Sequence, residues 1–154
     1  MAEYKHKNKY ARNYKEEWVI IGYSKFEQNA IGARVDSYEM SKLIYARYIK
    51  MVQTSGHIGS GNFEYSAGIS EIEVYGSEIE RINIALYKPV SASAVEGGTR
   101  PDGSLVYPQF DPIKATDGAL DTGRVSLDYQ DEVWVKVDLQ DEYRVGEVYL
   151  VLNP

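Results

Sequence analysis

Residues 133–140, VWVKVDLQ, alternate without a break: Val133, Val135, Val137 and Leu139 fall on one side, Trp134, Lys136 and Asp138 on the other. A period of two is the mark of a strand buried on one face, because in a helix those four apolar residues would be scattered around the axis. After DEYR, read as a turn, VGEVYLVL repeats the pattern with Val148, Leu150 and Leu152 on one face and Tyr149 and Val151 on the other. Earlier in the chain, EEWVIIGYS and ISEIEVYG are short β-branched and aromatic runs bounded by Gly, Ser or Asn, as the strands of an antiparallel sandwich are. SYEMSKLIYARYIK holds several helix formers, but ARYIKMV also alternates, with Ile49 and Met51 opposite Tyr48 and Lys50. Tyr45 to Gln53 therefore reads as a strand. The expectation is an all-β chain, an antiparallel β-sandwich.

Composition narrows what such a chain can do. At 154 residues, 44% of them hydrophobic, it is the size of one domain with one core. Seventeen Lys and Arg stand against 23 Asp and Glu, an acidic balance that argues against a general binder of nucleic-acid backbone. Cysteine is absent, which removes disulfide scaffolds, thiolate metal sites and thiol nucleophiles together. The longest apolar run, around Trp18 to Ile21, is far short of a membrane span. The start, MAEYKHKNKY, lacks the apolar core of a secretory signal.

Two stretches read as long loops: Thr54 to Gly68, rich in Gly and Ser, and Val95 to Arg124, with several Pro, Gly and Asp turn signals. Loops of this length in a compact β domain commonly carry function. Aromatic and charged residues are interleaved through both, so neither is a low-complexity linker.

At this point particular words become informative. NIALYKPVSAS, then KATDGALDTG, then VWVKVDLQDEYRVGEVYL resemble, in that order, the first half of a discoidin or coagulation-factor type C domain. The same galactose-binding-like jelly-roll fold is used by carbohydrate-binding module family 32. NYKEEWVIIGYS, YARYIKM and ISEIEVYG resemble the second half of that domain. The resemblance covers nearly the whole chain with its halves in reversed order: residues 1–80 match the second half and 81–154 the first. It implies either one circularly permuted domain, the arrangement the length favours, or a slice across two tandem copies. Sandwich termini tend to lie close together at the surface, which is why permutation is tolerated. A slice could close on itself or exchange halves between two chains. A monomer is expected over a swapped dimer.

The resemblance also implies a non-catalytic lectin-like module, extracellular or at the cell surface, that recognises glycans of the galactose or N-acetylgalactosamine type. The alternative is an adhesion module that binds protein. In this family the KATDGALDTG turn holds a structural calcium, Ca2+, together with a Glu of the last strand. That implies side-chain oxygens from Asp117 and Thr122, carbonyls from Lys114 and Ala119, and either Glu71 or Glu73 of SEIEVYG. Asp117, Asp121 and Thr122 do crowd oxygens into a tight Gly turn, and a calcium ion needs six to eight of them. An Asx turn held by Asp117 without a metal fits the same residues.

Sugar sites on sandwiches need an aromatic face for the apolar side of a pyranose and planar polar groups for its hydroxyls. Suitable types stand in the first loop at His57, Asn62, Phe63 and Tyr65, and in the second at Arg100, Tyr107, Gln109, Phe110, Arg124 and Tyr129. Trp18 and Trp134 lie in strand words and are expected to pack in the core. The basic run from Tyr4 to Arg12 reads as a solvated sheet edge blunted by Lys. Catalysis has little support: the two histidines, His6 and His57, stand in no nucleophile elbow and no metal-ligand spacing.

Overall fold

A computed structural model of the protein describes residues 6–7, 10–12, 18–24, 34–53, 57–58, 64–65, 68–76, 81–95, 98–120 and 133–153. The strands in chain order are β1 (His6–Lys7), β2 (Tyr10–Arg12), β3 (Trp18–Ile20), β4 (Tyr23–Ser24), β5 (Arg34–Gln53), β6 (His57–Ile58), β7 (Glu64–Tyr65), β8 (Gly68–Gly76), β9 (Val90–Ala92) and β10 (Val133–Asn153). Two 3-10 turns, Pro108–Phe110 and Pro112–Thr116, interrupt the second long loop. All strand pairs are antiparallel, and the main sheet runs β3-β2-β5-β10-β8, with β9 also paired to β10. The all-β reading holds: the chain is mostly antiparallel sheet and sandwich-like.

The β5–β10 ribbon organises the molecule. Its pairing runs from Val133 opposite Gln53 to Leu152 opposite Arg34, with register shifts between Asp138 and Tyr143, where the extra residues are in β10, and between Val145 and Glu147, where they are in β5. At the first shift residues 139–142 face Arg47 alone, so the polar break is a bulge within one long strand and not the turn of a hairpin, and Tyr143 and Arg144 of DEYR are already paired with Ala46 and Tyr45. Gln140 takes the left-handed backbone conformation (φ +70°) and donates its amide to Asp138 Oδ1 at 2.8 Å. Arg47 clamps the same carboxylate from the partner strand, Nε to Oδ1 at 2.9 Å and Nη2 to Oδ2 at 3.0 Å. A bulge bends its strand and raises the local twist. The free edge of β10 accordingly pairs with β9 before the bulge and with β8 after it.

The inward face carries the expected residues. Val133, Val135, Val137 and Leu139 are at most 1% exposed, and Val145, Val148, Leu150 and Leu152 continue the core beyond the bulge. Ile49 and Met51 of β5, and Ile69, Ile72 and Val74 of β8, pack against them. Removing each such side chain from water contributes about 1.5–3 kcal/mol. Val151 departs from the alternation: it is buried as well, opposite Glu71 of β8.

Trp18 and Trp134 are not core residues, contrary to expectation. Trp18 is 39% exposed, and Trp134 is half-buried on the outward side of β10. The reason for Trp134 is parity, since it alternates with the buried valines on either side of it.

Residues 83–85 of the NIALYKP word dock on the free edge of β8. Asn83 Oδ1 accepts from the amides of Val74 (3.1 Å) and Ala85 (3.0 Å), and the Ile84 amide donates to the Val74 carbonyl at 2.8 Å. Among the described residues no helix is long and apolar enough to cross a membrane.

Candidate functional site

Two features could carry function: the Asp-Gly turn at 117–118 and the surface of the second loop. The first is built by the 3-10 turn Pro112–Thr116, capped at its start by Asp111, whose Oδ1 accepts from the Ile113 amide at 3.0 Å. Buried Thr116 ties the turn to the segment before β9: its hydroxyl donates to the Lys88 carbonyl (2.9 Å), and its carbonyl accepts from the Tyr87 amide (2.7 Å). The chain then reverses through Gly118 at φ +78°, where a Cβ would also press on Leu86 at 2.8 Å. Asp117 Oδ1 accepts from the Ala119 amide at 3.0 Å, forming an Asx turn, and Lys114 Nζ lies 3.4 Å from Asp117 Oδ2.

This turn is pressed against β8 at Glu71. Glu71 is 1% exposed; its Oε2 accepts from the Gly118 amide at 3.3 Å, and its Oε1 is buried with no hydrogen-bond partner. Burial is the main cause that pushes the Glu71 pKa up to about 8; the Gly118 amide pulls it back, and the negative charges of Asp117 and Glu73 add to the rise. An orphaned, buried carboxylate oxygen beside a second carboxylate is a costly arrangement for two anions alone. It fits a cation that would take up the orphaned oxygen. Of the two glutamates expected there, Glu71 meets the turn, whereas Glu73 accepts from the Tyr75 hydroxyl at 3.0 Å. Lys114 and Ala119 flank Asp117 on the turn, and Thr122 lies outside the described residues. Among the described residues no group of three or more acidic or imidazole side chains gathers in metal-binding geometry.

In the second loop, Thr99 and Leu105 pair across a turn through Gly103 (φ +83°). Asp102 Oδ1 accepts from the Ser104 amide (2.9 Å) and hydroxyl (2.7 Å), which holds its carboxyl below the usual range. Arg100 turns back onto this loop, donating to the carbonyls of Leu105 and Val106 and to Ser104 Oγ. Its guanidinium therefore braces the loop. Tyr107, 44% exposed, and the half-buried Phe110 form an edge-to-face pair with centroids 5.9 Å apart, and Gln109 between them is exposed. His57 and Tyr65 are brought opposite each other by the β6–β7 pairing. Asn62, Phe63, Arg124 and Tyr129 lie outside the described residues.

Comparison with known proteins adds one finding. Over 86 residues, 56% of the chain, the sequence is 41% identical to the polysaccharide lyase 8 family protein HylA of Enterococcus faecalis. The matched stretch is 6% of that protein's length. No family model matches the chain, and no solved structure does.

Sequence reasoning did not find the outward cluster around Arg81. Its guanidinium sits 4.8 Å from the Tyr75 ring and 5.1 Å from the Tyr149 ring and pairs with Glu147 Oε2 at 3.1 Å. The two tyrosines meet edge to face with centroids 5.6 Å apart. Tyr149 was legible as an outward residue from its alternation with Val148 and Leu150; Arg81 carried no pattern signal.

Proposed function

We propose that the chain is a non-catalytic glycan-binding module of the discoidin type, one permuted domain belonging to a larger carbohydrate-active protein outside the cell or at its surface. The observation that carries this reading is the 41% identity to a stretch amounting to 6% of a polysaccharide lyase family protein. A match so small beside its parent has the dimensions of an appended module. The pairing of β5 and β8 with β10 supports a single permuted domain, because it joins residues 1–80 to 81–154 in one sheet within one chain. Calcium would be held by Glu71 and Asp117, with carbonyls of Lys114 and Ala119 and the Thr122 side chain. It would supply rigidity to the turn and no chemistry. Tyr107, Gln109 and Phe110, with His57, Asn62, Phe63, Tyr65, Arg124 and Tyr129, would furnish the sugar-binding rim, and Arg100 would support it.

The test is a glycan array on the purified chain with calcium and with chelator, beside a light-scattering mass. Binding to terminal galactose or N-acetylgalactosamine is expected, lost in Tyr107→Ala or Arg124→Ala. A blank array from a folded monomer would move the reading to protein adhesion. A dimeric mass would overturn the self-contained permuted domain.

A further inference from the structure

The outward side of the sheet carries an unusual set of residues. Pleat parity places Trp134 and Lys136 outward on β10, and Lys50 on β5 stands directly opposite Lys136. Lys50 Nζ lies 5.7 Å from the centroid of Trp18 and 5.1 Å from that of Trp134. Lys136 Nζ lies 5.6 Å from the Trp134 ring and 5.4 Å from the Tyr48 ring. β2 and β5 separate β3 from β10, so the stripe from Trp18 to Trp134 crosses about 14 Å of sheet at the ordinary strand spacing.

Two like charges directly opposite each other across a strand pair destabilise a sheet. Among the described residues neither lysine forms a close ion pair: Asp138 attracts Lys136 through space, but both of its carboxylate oxygens are taken by Arg47 in a two-pronged ion pair. Composition does not force this, since the chain has 23 acidic residues against 17 basic ones and could have placed a carboxylate there. An ammonium over an aromatic face still presents donors to solvent, three in all. Rings that can take the apolar side of a pyranose thus alternate with cations that can take a carboxylate. A neutral sugar would leave the cation pair without use. A nucleic acid would be met by many phosphate contacts, and two lysines are too few for that. A flat strip crossing several strands suits the middle of a polymer more than the terminal sugar of a branch.

We propose that this face binds an acidic polysaccharide of the polyuronate class, lying across the strands with successive carboxylates on Lys50 and Lys136 and sugar rings against Trp18 and Trp134. The inference rests on the glycan-binding reading for the kind of partner but uses no residue of the calcium turn or of the loops.

Affinity electrophoresis of the whole chain through polygalacturonate, its methyl ester and double-stranded DNA, all in chelator, tests it. Chelator removes any part played by the Asp117 turn. Polygalacturonate should retard the protein, and the methyl ester, with the same rings and no charge, should do so about tenfold less. The double variant Lys50→Gln/Lys136→Gln should also lose about tenfold while its thermal midpoint holds or rises. Trp18→Ala should weaken binding with the charges intact. Equal retardation by the ester, full retention by the double variant, or equal capture by DNA with no effect of Trp18→Ala would each overturn the proposal. Polygalacturonate binding lost in Tyr107→Ala but kept in the lysine variant would place the polymer in the loops, refuting this face and sparing the loop reading.

Discussion

Replacing Glu71 with Gln separates the metal from the fold. The wild-type carboxyl is 1% exposed, has one oxygen without a partner, and receives a single amide at 3.3 Å on the other. Its pKa stands at about 8, against an ordinary value of 4.5, chiefly because burial penalises the charged form. A raised acid pKa means the folded state favours the neutral group. That stabilisation is complete below about pH 4.5 and is lost as the pH climbs towards 8. At 1.36 kcal/mol for each tenfold change in proton affinity the loss has a ceiling of about 4–5 kcal/mol; water entering the turn lowers this to about 2–4 kcal/mol in metal-free protein.

Gln has nearly the same shape, can keep the Gly118 bond through its carbonyl, and has no charge to bury. In chelator at about pH 8, Glu71→Gln is therefore expected to be the more stable protein, by roughly 2 kcal/mol, or about 4–8 °C in a chain of this size. Near pH 5, where the wild-type group is largely neutral, the order should close up or reverse. Calcium at a hundredfold excess over its dissociation constant should then raise wild type by about 2.7 kcal/mol and leave Glu71→Gln almost unmoved. Thermal unfolding followed by circular dichroism at the two pH values, with and without calcium, reads all of this. If metal-free wild type melts at one temperature across the range, or Glu71→Gln is the less stable at pH 8, the account of the buried carboxylate is wrong.

Three further outcomes follow from the same coordinates. Asn83→Ala removes the acceptor of two amides at the β8 edge and should cost about 1–3 kcal/mol, measurable in urea unfolding as a lower midpoint with an unchanged slope. Tyr87 is 72% exposed in the left-handed region (φ +57°), so Tyr87→Gly should stabilise by about 0.5–1 kcal/mol, the relief of the side chain outweighing the entropy of glycine; a loss of stability would show that the ring packs usefully. Asp138 has its pKa lowered by its bonds from Arg47, so its contribution is present above the ordinary carboxylate range and disappears as pH falls through the folded value. Asp138→Asn should accordingly melt a few degrees lower at neutral pH and together with wild type in acid, where equal melting at both would show the clamp to be idle.

The strands were legible wherever alternation was long enough. Val133 to Leu139 announced both a strand and its buried face, and the same parity put Trp134 outside; expecting it in the core weighed residue type above the pattern it sat in. The bulge at residues 139–142 was not legible, because a polar break between two alternating runs looks the same whether the chain turns back or continues against one partner. Only the register with β5, which skips from Tyr48 to Ala46 while β10 advances from Asp138 to Tyr143, tells them apart, and that is a property of two segments some ninety residues apart.

Glu71 illustrates a subtler signal. Ile69 and Glu71 share one parity in the sequence while Ile72 and Val74 share the other, yet all four are buried. A simple strand cannot do this: the core residues change parity across Ser70 and Glu71, where the pairing with β10 shifts register between Val151 and Leu152. The bulge spares Glu71 a place in the hydrophobic core and turns it towards Gly118. A charged residue at the point where an apolar strand changes phase is a local contradiction, and natural chains tend to keep such contradictions where function compensates them. The opposed lysines 50 and 136 break a different rule, charge pairing across strands, on the opposite kind of surface. Both were written in the sequence as residues that a sheet alone would not choose, but only the pairing of β5, β8 and β10 shows what each of them faces.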